Sequence, residues 1–133
     1  MFKTLEISAS GLQAQRTRID TIAGNVAHAQ TTLNDDGKIE PFQRKIVMLT
    51  AQSDGSPGGQ KVQAQVATDN DTPPRLVYDP GHPHAVDGYV KYPNINVVTE
   101  FVNALEASRA YEANLAAMDV TKGMVQNTFR ILG

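Results

Sequence analysis

The last third of the chain carries a regular pattern of apolar residues. They recur at alternating spacings of four and three from Val97 to Leu132, and nine of the eleven positions are apolar. An average spacing of 3.5 residues keeps one seam of an α-helix facing a partner helix along its whole length. Asn96 stands before the segment as an N-cap residue, and no proline interrupts it. The pattern predicts a helix about 54 Å long, too long for a 14.4 kDa globule to enclose.

This helix therefore needs partner helices, and the eleven positions define the seam that they would cover. The seam consists of Val97, Phe101, Ala104, Ser108, Tyr111, Leu115, Met118, Lys122, Val125, Phe129 and Leu132.

The start of the chain offers one such partner, a second amphipathic helix predicted over residues 4–29 and about 39 Å long. Arg16 interrupts its apolar stripe, and Gly11 and Gly24 each lower its helix propensity by about 1 kcal/mol. We expect this helix to form when packed, antiparallel or nearly so, against the C-terminal helix of the same chain. An ordinary two-helix core of a small domain remains an alternative. The apolar positions of this N-terminal helix, seven residues apart, are Leu5, Leu12, Ile19 and Val26.

The middle of the chain differs in composition from both ends. All seven prolines lie between Pro41 and Pro93. Residues 61–67 alternate polar and apolar side chains, which is typical of a half-exposed strand. Shorter strand candidates lie at residues 42–49, 75–78 and 88–92. The predicted fold is thus mainly α with a small β insert, and the terminal helices pair as a coiled coil. We expect one structural unit made of residues 1–30, 31–96 and 97–133.

Composition excludes several classes of protein. The chain has 133 residues, which is one domain at most, and a net charge of −2 without a run of basic residues. That charge argues against non-specific binding of nucleic acid. No apolar stretch approaches the roughly 20 residues of a membrane span, and no classical signal peptide is expected. The absence of cysteine removes disulfides and zinc-thiolate sites.

Candidate catalytic or metal-binding residues are few. His82 and His84, with Asp79 nearby, are the best set for a metal ion. Pro83 makes a stiff link that splays its neighbours, and no further group orients the two imidazoles. These residues are better interpreted as a surface loop, so we expect no catalytic residue, cofactor or metal. A small metal-dependent enzyme using this pair is the weaker alternative.

The chain also carries motifs that resemble a known family. The segment EASRAYEAN, residues 106–114, resembles the C-terminal signature of bacterial flagellar rod and hook proteins. PPRLVYDPGHPHAVDGYVKYPNINVVTE, residues 73–100, resembles the proximal rod subunits of that family. ISASGLQAQRTRIDTIAGNVAHAQTT, residues 7–32, is similar to the family's opening helix, although His28 stands where a second Asn is usual. PFQRKIVML, residues 41–49, resembles the strand that follows.

The resemblance implies a structural subunit of the flagellar basal body rather than an enzyme. Its terminal helices would pair and stack helically with those of other copies and of other rod proteins around a central channel. The resulting proximal rod is a periplasmic drive shaft that passes torque from the rotor to the hook. Subunits of this family leave through the flagellar type III export apparatus without a cleaved signal peptide. A generic coiled-coil adaptor or secretion-apparatus needle subunit is the alternative, and it gives no reason for residues 73–96.

On this interpretation the apolar positions of both helices form the assembly interface, and polar residues beside them help to set the register. Glu106, Arg109 and Glu112 lie three residues apart on the helix. Such a spacing usually forms a ladder of solvated ion pairs, which contributes a few tenths of a kcal/mol to stability. The expected interface residues are Leu5, Leu12, Ile19, Val26, Val97, Phe101, Ala104, Tyr111, Leu115, Met118, Val125, Phe129 and Leu132. The polar candidates for contacts between subunits are Arg16, Asn25, Glu106, Arg109, Glu112 and Asn114.

Overall fold

The computed structural model of the chain describes residues 2–55 and 57–133. Two helices, α1 (Phe2–Ala27) and α2 (Val97–Leu132), lie at the ends of the chain. Between them are four strands that form two two-stranded sheets, β1 with β2 and β3 with β4. This confirms a helix at each end and a small β-rich middle. The strands are β1 (Lys45–Ser53), β2 (Gln60–Thr68), β3 (Arg75–Tyr78) and β4 (Tyr89–Tyr92).

The start of α2 follows from its cap. The Asn96 side-chain oxygen accepts hydrogen bonds from the backbone N–H groups of Val98 (3.1 Å) and Thr99 (3.3 Å). These are donors that the first turn of a helix leaves without an intrahelical partner. The helix therefore begins at Val97, as the spacing predicts. Within the described residues, neither helix has the length and apolar character needed to cross a membrane.

The chain divides into two compact units. The first contains α1 up to Asp20, the hairpin segment Val47–Gln65 and the segment Ala104–Gly133. Arg18 of α1 contacts Glu106 of α2 at 3.5 Å. Gly11 lies against Asn114, since a Cβ atom added to Gly11 would be 2.9 Å from the Asn114 side-chain nitrogen. Positions rise along α1 as they fall along α2, so the two helices are antiparallel within this unit.

Small side chains form the buried face between these two helices. Ala107 is completely buried, and Gly11 and Ala14 are buried as well. On α2 the buried Ala107 and the half-buried Asn114 each precede by one residue a position of the predicted seam, Ser108 and Leu115, and both of those are exposed. Small residues allow two helix backbones to approach closely. The larger Leu12 and Tyr111 are half-buried beside this contact.

The hairpin of β1 and β2 is fastened to α1 in the same unit. The Val62 backbone N–H donates to the Ser10 hydroxyl oxygen at 3.0 Å. The Lys61 ammonium lies 3.1 Å from a Glu6 carboxylate oxygen, and Lys3 lies 3.9 Å from Asp54. Both ion pairs are partly exposed and contribute little individually. Together with the hydrogen bond they give α1 a partner that the apolar pattern did not predict.

The second unit contains Thr21–Ile46 and Val66–Asn103. Its core includes the completely buried Val90 of β4 and the buried Ile22 and Ala29. β3 and β4 are antiparallel, with Leu76 opposite Lys91 and Tyr78 opposite Tyr89. Because side chains alternate along a strand, Val90 faces the core while those two pairs share the other, exposed face of the hairpin.

Candidate assembly surfaces

Large apolar side chains are exposed along much of α2. Phe101 is 58% exposed, Leu115 43% and Phe129 62%. Scattered exposed apolar residues are normal on a protein surface, but eleven large ones on one helix indicate an interaction site. The exposed large apolar residues of α2 are Val97, Val98, Phe101, Val102, Leu105, Leu115, Val120, Met124, Phe129, Ile131 and Leu132.

The predicted interface residues fall into two groups. Those at one position of the α2 repeat are half-buried, namely Ala104, Tyr111, Met118 and Val125. Those at the other position and at the ends of α2 are exposed, namely Val97, Phe101, Leu115, Phe129 and Leu132. The four α1 positions, Leu5, Leu12, Ile19 and Val26, are half-buried. Both helices therefore retain apolar surface that their own chain leaves uncovered.

The polar candidates on the two helices have different surroundings. Glu106 pairs at 3.5 Å with Arg18, and this contact is largely exposed and weak. Arg16 lines a surface groove with Leu12 and Tyr111. Asn114 covers Gly11. Arg109 and Glu112 are exposed, and among the described residues neither is in an ion pair. Their charges are available to a neighbouring molecule.

Asn25 has an intrachain role. It is 1% exposed. Its side-chain nitrogen donates to the Lys45 carbonyl at 2.8 Å, and its side-chain oxygen accepts from the Lys45 N–H at 2.9 Å. Both backbone groups of the first residue of β1 are thus satisfied by one amide from α1. Nearby, the exposed His28 ring, at the position that departs from the family pattern, stacks on Phe42 with centroids 4.6 Å apart.

Replacing Asn25 by alanine should destabilise the chain by about 1–3 kcal/mol, because it removes both hydrogen bonds by which the buried Asn25 amide satisfies the Lys45 backbone. Thermal unfolding followed by circular dichroism measures the change. Asn34→Ala is the control and should have a smaller effect, because the hydrogen bonds of the Asn34 side chain with Glu40 and with two nearby backbone N–H groups are all exposed. Equal losses in the two variants would contradict the proposed anchoring of β1.

A buried ion pair joins the segment before β1 to the first turn of α2. Arg44 Nε lies 2.5 Å from Glu100 Oε1, and the Glu100 side chain is only 1% exposed. The second carboxylate oxygen, Oε2, is buried and has no hydrogen-bond partner. No spacing in the sequence predicts this pair. The one signal for it is that both residues lie in segments resembling the family, residues 41–49 and 73–100.

The histidines of the predicted loop are engaged in local contacts. The His84 backbone N–H donates to His82 Nδ1 at 3.0 Å, and His84 Nδ1 lies 2.7 Å from the Thr32 hydroxyl. The two rings are 5.1 Å apart in an edge-to-face arrangement. No cluster of three or more potential metal ligands occurs in residues 2–55 and 57–133. These contacts fit the interpretation of a shaped surface loop.

One cleft of about 220 Å³ lies in the second unit, lined by residues that include Phe42, Arg44, Asp69 and Lys91. At its edge the Thr72 hydroxyl donates to Asp69 at 2.7 Å. This hydrogen bond, with backbone N–H groups of Thr72 and Asp71, holds the pKa of Asp69 below its usual value. The carboxylate therefore stabilises a local turn, and that contribution is lost only as the pH falls through the lowered pKa.

Comparisons with known proteins cover nearly the whole chain. Residues 86–131 match the family model described as "Flagellar basal body rod FlgEFG protein C-terminal". Proteins named flagellar basal-body rod protein FlgC are similar over almost their full length. The Bacillus subtilis protein is 37% identical over 98% of this chain and 97% of its own length. The corresponding values are 37%, 98% and 97% for Salmonella typhimurium and 38%, 97% and 95% for Aquifex aeolicus.

Proposed function

Because the chain belongs to the FlgC family of flagellar basal-body rod proteins, we propose that it assembles helically, through its terminal helices, with copies of itself and with other rod proteins. It is a structural subunit of the basal-body rod. The observation that carries the proposed mechanism is the set of eleven large apolar residues that α2 leaves exposed. In the assembled rod these residues would be covered by helices of neighbouring subunits.

Covering this surface in the rod would contribute favourable free energy to assembly. A Val, Leu or Phe side chain contributes about 1.5–3 kcal/mol when fully buried. The five seam residues that are exposed retain on average about half of their surface, so covering them would contribute roughly 4–8 kcal/mol before association costs. These five are Val97, Phe101, Leu115, Phe129 and Leu132.

The rod would act as a drive shaft from the rotor to the hook and would surround the path of exported subunits in the periplasm. The family supports this role, and long helices aligned along the shaft suit the transmission of torque. Export through the flagellar type III apparatus without a cleaved signal is part of the same proposal. We also propose that residues 1–30, 31–96 and 97–133 enter the rod as one structural unit, since α1 and α2 each contribute residues to both compact units.

No observation favours the generic coiled-coil adaptor, the needle subunit or the metal-dependent enzyme. Similarity to FlgC proteins extends through nearly the whole chain, which includes the loop that a metal-dependent enzyme would use.

Assembly should complete the order of the terminal helices. For the purified chain we expect weak amide protection at both ends, weakest in the last two turns of α2, where Phe129, Ile131 and Leu132 are exposed. Circular dichroism and backbone NMR of the isolated subunit measure this, and amides of the buried β4 strand serve as the internal control. Sharp, well-dispersed and protected helical resonances throughout residues 2–30 and 97–133 of a monomer would show that the fold is self-sufficient and would contradict assembly-coupled ordering.

A further inference from the structure

The outer face of the β3–β4 hairpin is an exposed surface that the terminal-helix contacts do not explain. Leu76, Tyr78, Tyr89 and Lys91 share this face by the register of the two strands. Tyr78 is 68% exposed and Tyr89 47%, although their rings contact each other edge to face at 5.3 Å. Exposed tyrosines are enriched at protein interfaces because they bury a large area with little conformational freedom to lose.

The size of this hairpin face indicates how it is used. A tyrosine buries about 150–250 Å² when covered, so the exposed parts of the two rings offer roughly 230 Å². A stable, specific interface needs about 800 Å² on each partner. The hairpin face alone is therefore too small to hold a free dimer. Its size suits one contact among several in a repeating array.

Charge complementarity points to the occupant. Lys91 is the only charged residue on the hairpin face, and among the described residues it is in no ion pair. On α2, the exposed apolar residues Phe101 and Leu105 are followed, two turns or about 10.5 Å after Leu105, by Glu112, which among the described residues is in no ion pair. The hairpin face thus offers apolar and aromatic side chains with one cation. This side of α2 offers apolar side chains followed by one anion, with the exposed Arg109 at its edge.

We infer that the β3–β4 face of one subunit binds the exposed Phe101–Leu105 side of α2 in a second copy of the same chain, with Lys91 paired to that copy's Glu112. This inference rests on the proposed helical assembly and names one of its contacts. The two surfaces are different patches of one chain. Such a heterologous contact does not close on itself as a two-fold dimer does, and it propagates into an open helical array.

Cysteine cross-linking tests this contact cleanly, because the natural chain has no cysteine. Two differently tagged chains, one carrying Tyr89→Cys and the other Phe101→Cys, are co-expressed, and isolated basal bodies are oxidised. We expect a disulfide-linked species carrying both tags, at least tenfold more abundant than from the control pair Tyr89→Cys and Gln52→Cys, since Gln52 is exposed on β1. Tyr78→Cys with Val98→Cys provides a second pair should the first disturb incorporation.

The outcomes separate this contact from the assembly proposal. Any of three results would overturn the inference. The first is the presence of tagged chains in basal bodies without the disulfide-linked species that carries both tags. The second is Tyr89→Cys chains linked to each other, and the third is links only to a different rod protein. Absence of the tagged, cysteine-free chain from basal bodies would instead count against the proposed assembly.

Charge reversal supplies a second test. Lys91→Glu and Glu112→Lys should each lower the yield of complete rods severalfold, because each places like charges together. The double variant should restore the yield to within about twofold of the natural chain. A double variant as defective as the worse single variant would contradict the pairing.

Discussion

Replacing Leu115 or Phe129 by aspartate should abolish incorporation of the chain into the rod and, with it, motility. Both side chains are substantially exposed in the single chain, so a carboxylate there remains hydrated and the subunit still folds. In the assembled rod the same group would lose its water, at a cost of several kcal/mol unless it finds a cation. Motility assays and counts of basal bodies by electron microscopy measure the effect, and circular dichroism checks the fold of the purified variants.

A control lies outside both helices. Gln52 is exposed on β1. Gln52→Asp introduces the same charge away from the proposed interface, and it should leave assembly much less affected. Normal motility and normal basal bodies in the Leu115→Asp and Phe129→Asp variants would count decisively against a structural role for this face.

Replacing Arg44 by methionine should destabilise the folded chain by about 3–5 kcal/mol. The change leaves the Glu100 carboxylate buried without its cation, and an unpaired buried charge is among the most destabilising single defects. Urea unfolding of the purified full-length chain, followed by circular dichroism, gives the difference in free energy.

Two further variants isolate the cause of this loss. Arg18→Met removes the partner of the exposed Glu106 and should cost less than about 1 kcal/mol. The double variant Arg44→Met/Glu100→Leu removes both charges and should recover most of the stability, because apolar residues of similar size can replace a buried ion pair. Equal effects of Arg44→Met and Arg18→Met would show that burial of Glu100 is not responsible.

The sequence predicted the elements of this fold better than their contacts. Spacing and the Asn96 cap predict α2 with the bounds that the structure shows, and polar–apolar alternation predicts β2 to within one residue at each end. These signals are local, because they depend on the period of one helix or strand. The pairs Arg44–Glu100 and Asn25–Lys45 join residues 56 and 20 positions apart. Such contacts leave no periodic trace in a single sequence.

The assembly surfaces show a second limit of the apolar pattern. A repeat of 3.5 residues predicts that a helix has a seam, but it does not say whether the seam faces its own chain or another one. Here the intrachain contact uses Gly11, Ala14 and Ala107, whose small side chains contribute little to a hydrophobic pattern. Several large residues of the pattern, such as Phe101 and Phe129, stay exposed, so the sequence predicts the helix and leaves its partner open.

The antiparallel contact between α1 and α2 has a consequence for the order of folding. Arg18 and Glu106 are 88 residues apart, and closing a loop of that length costs about 4 kcal/mol in chain entropy. The β3–β4 hairpin closes a far shorter loop and can form before the two helices pair. A nascent chain that ends before Ala104 has no α2 segment to cover Gly11 and Ala14, so helix pairing must wait until the C-terminal third has been synthesised. A subunit that travels as an extended chain before it assembles would benefit from this delay.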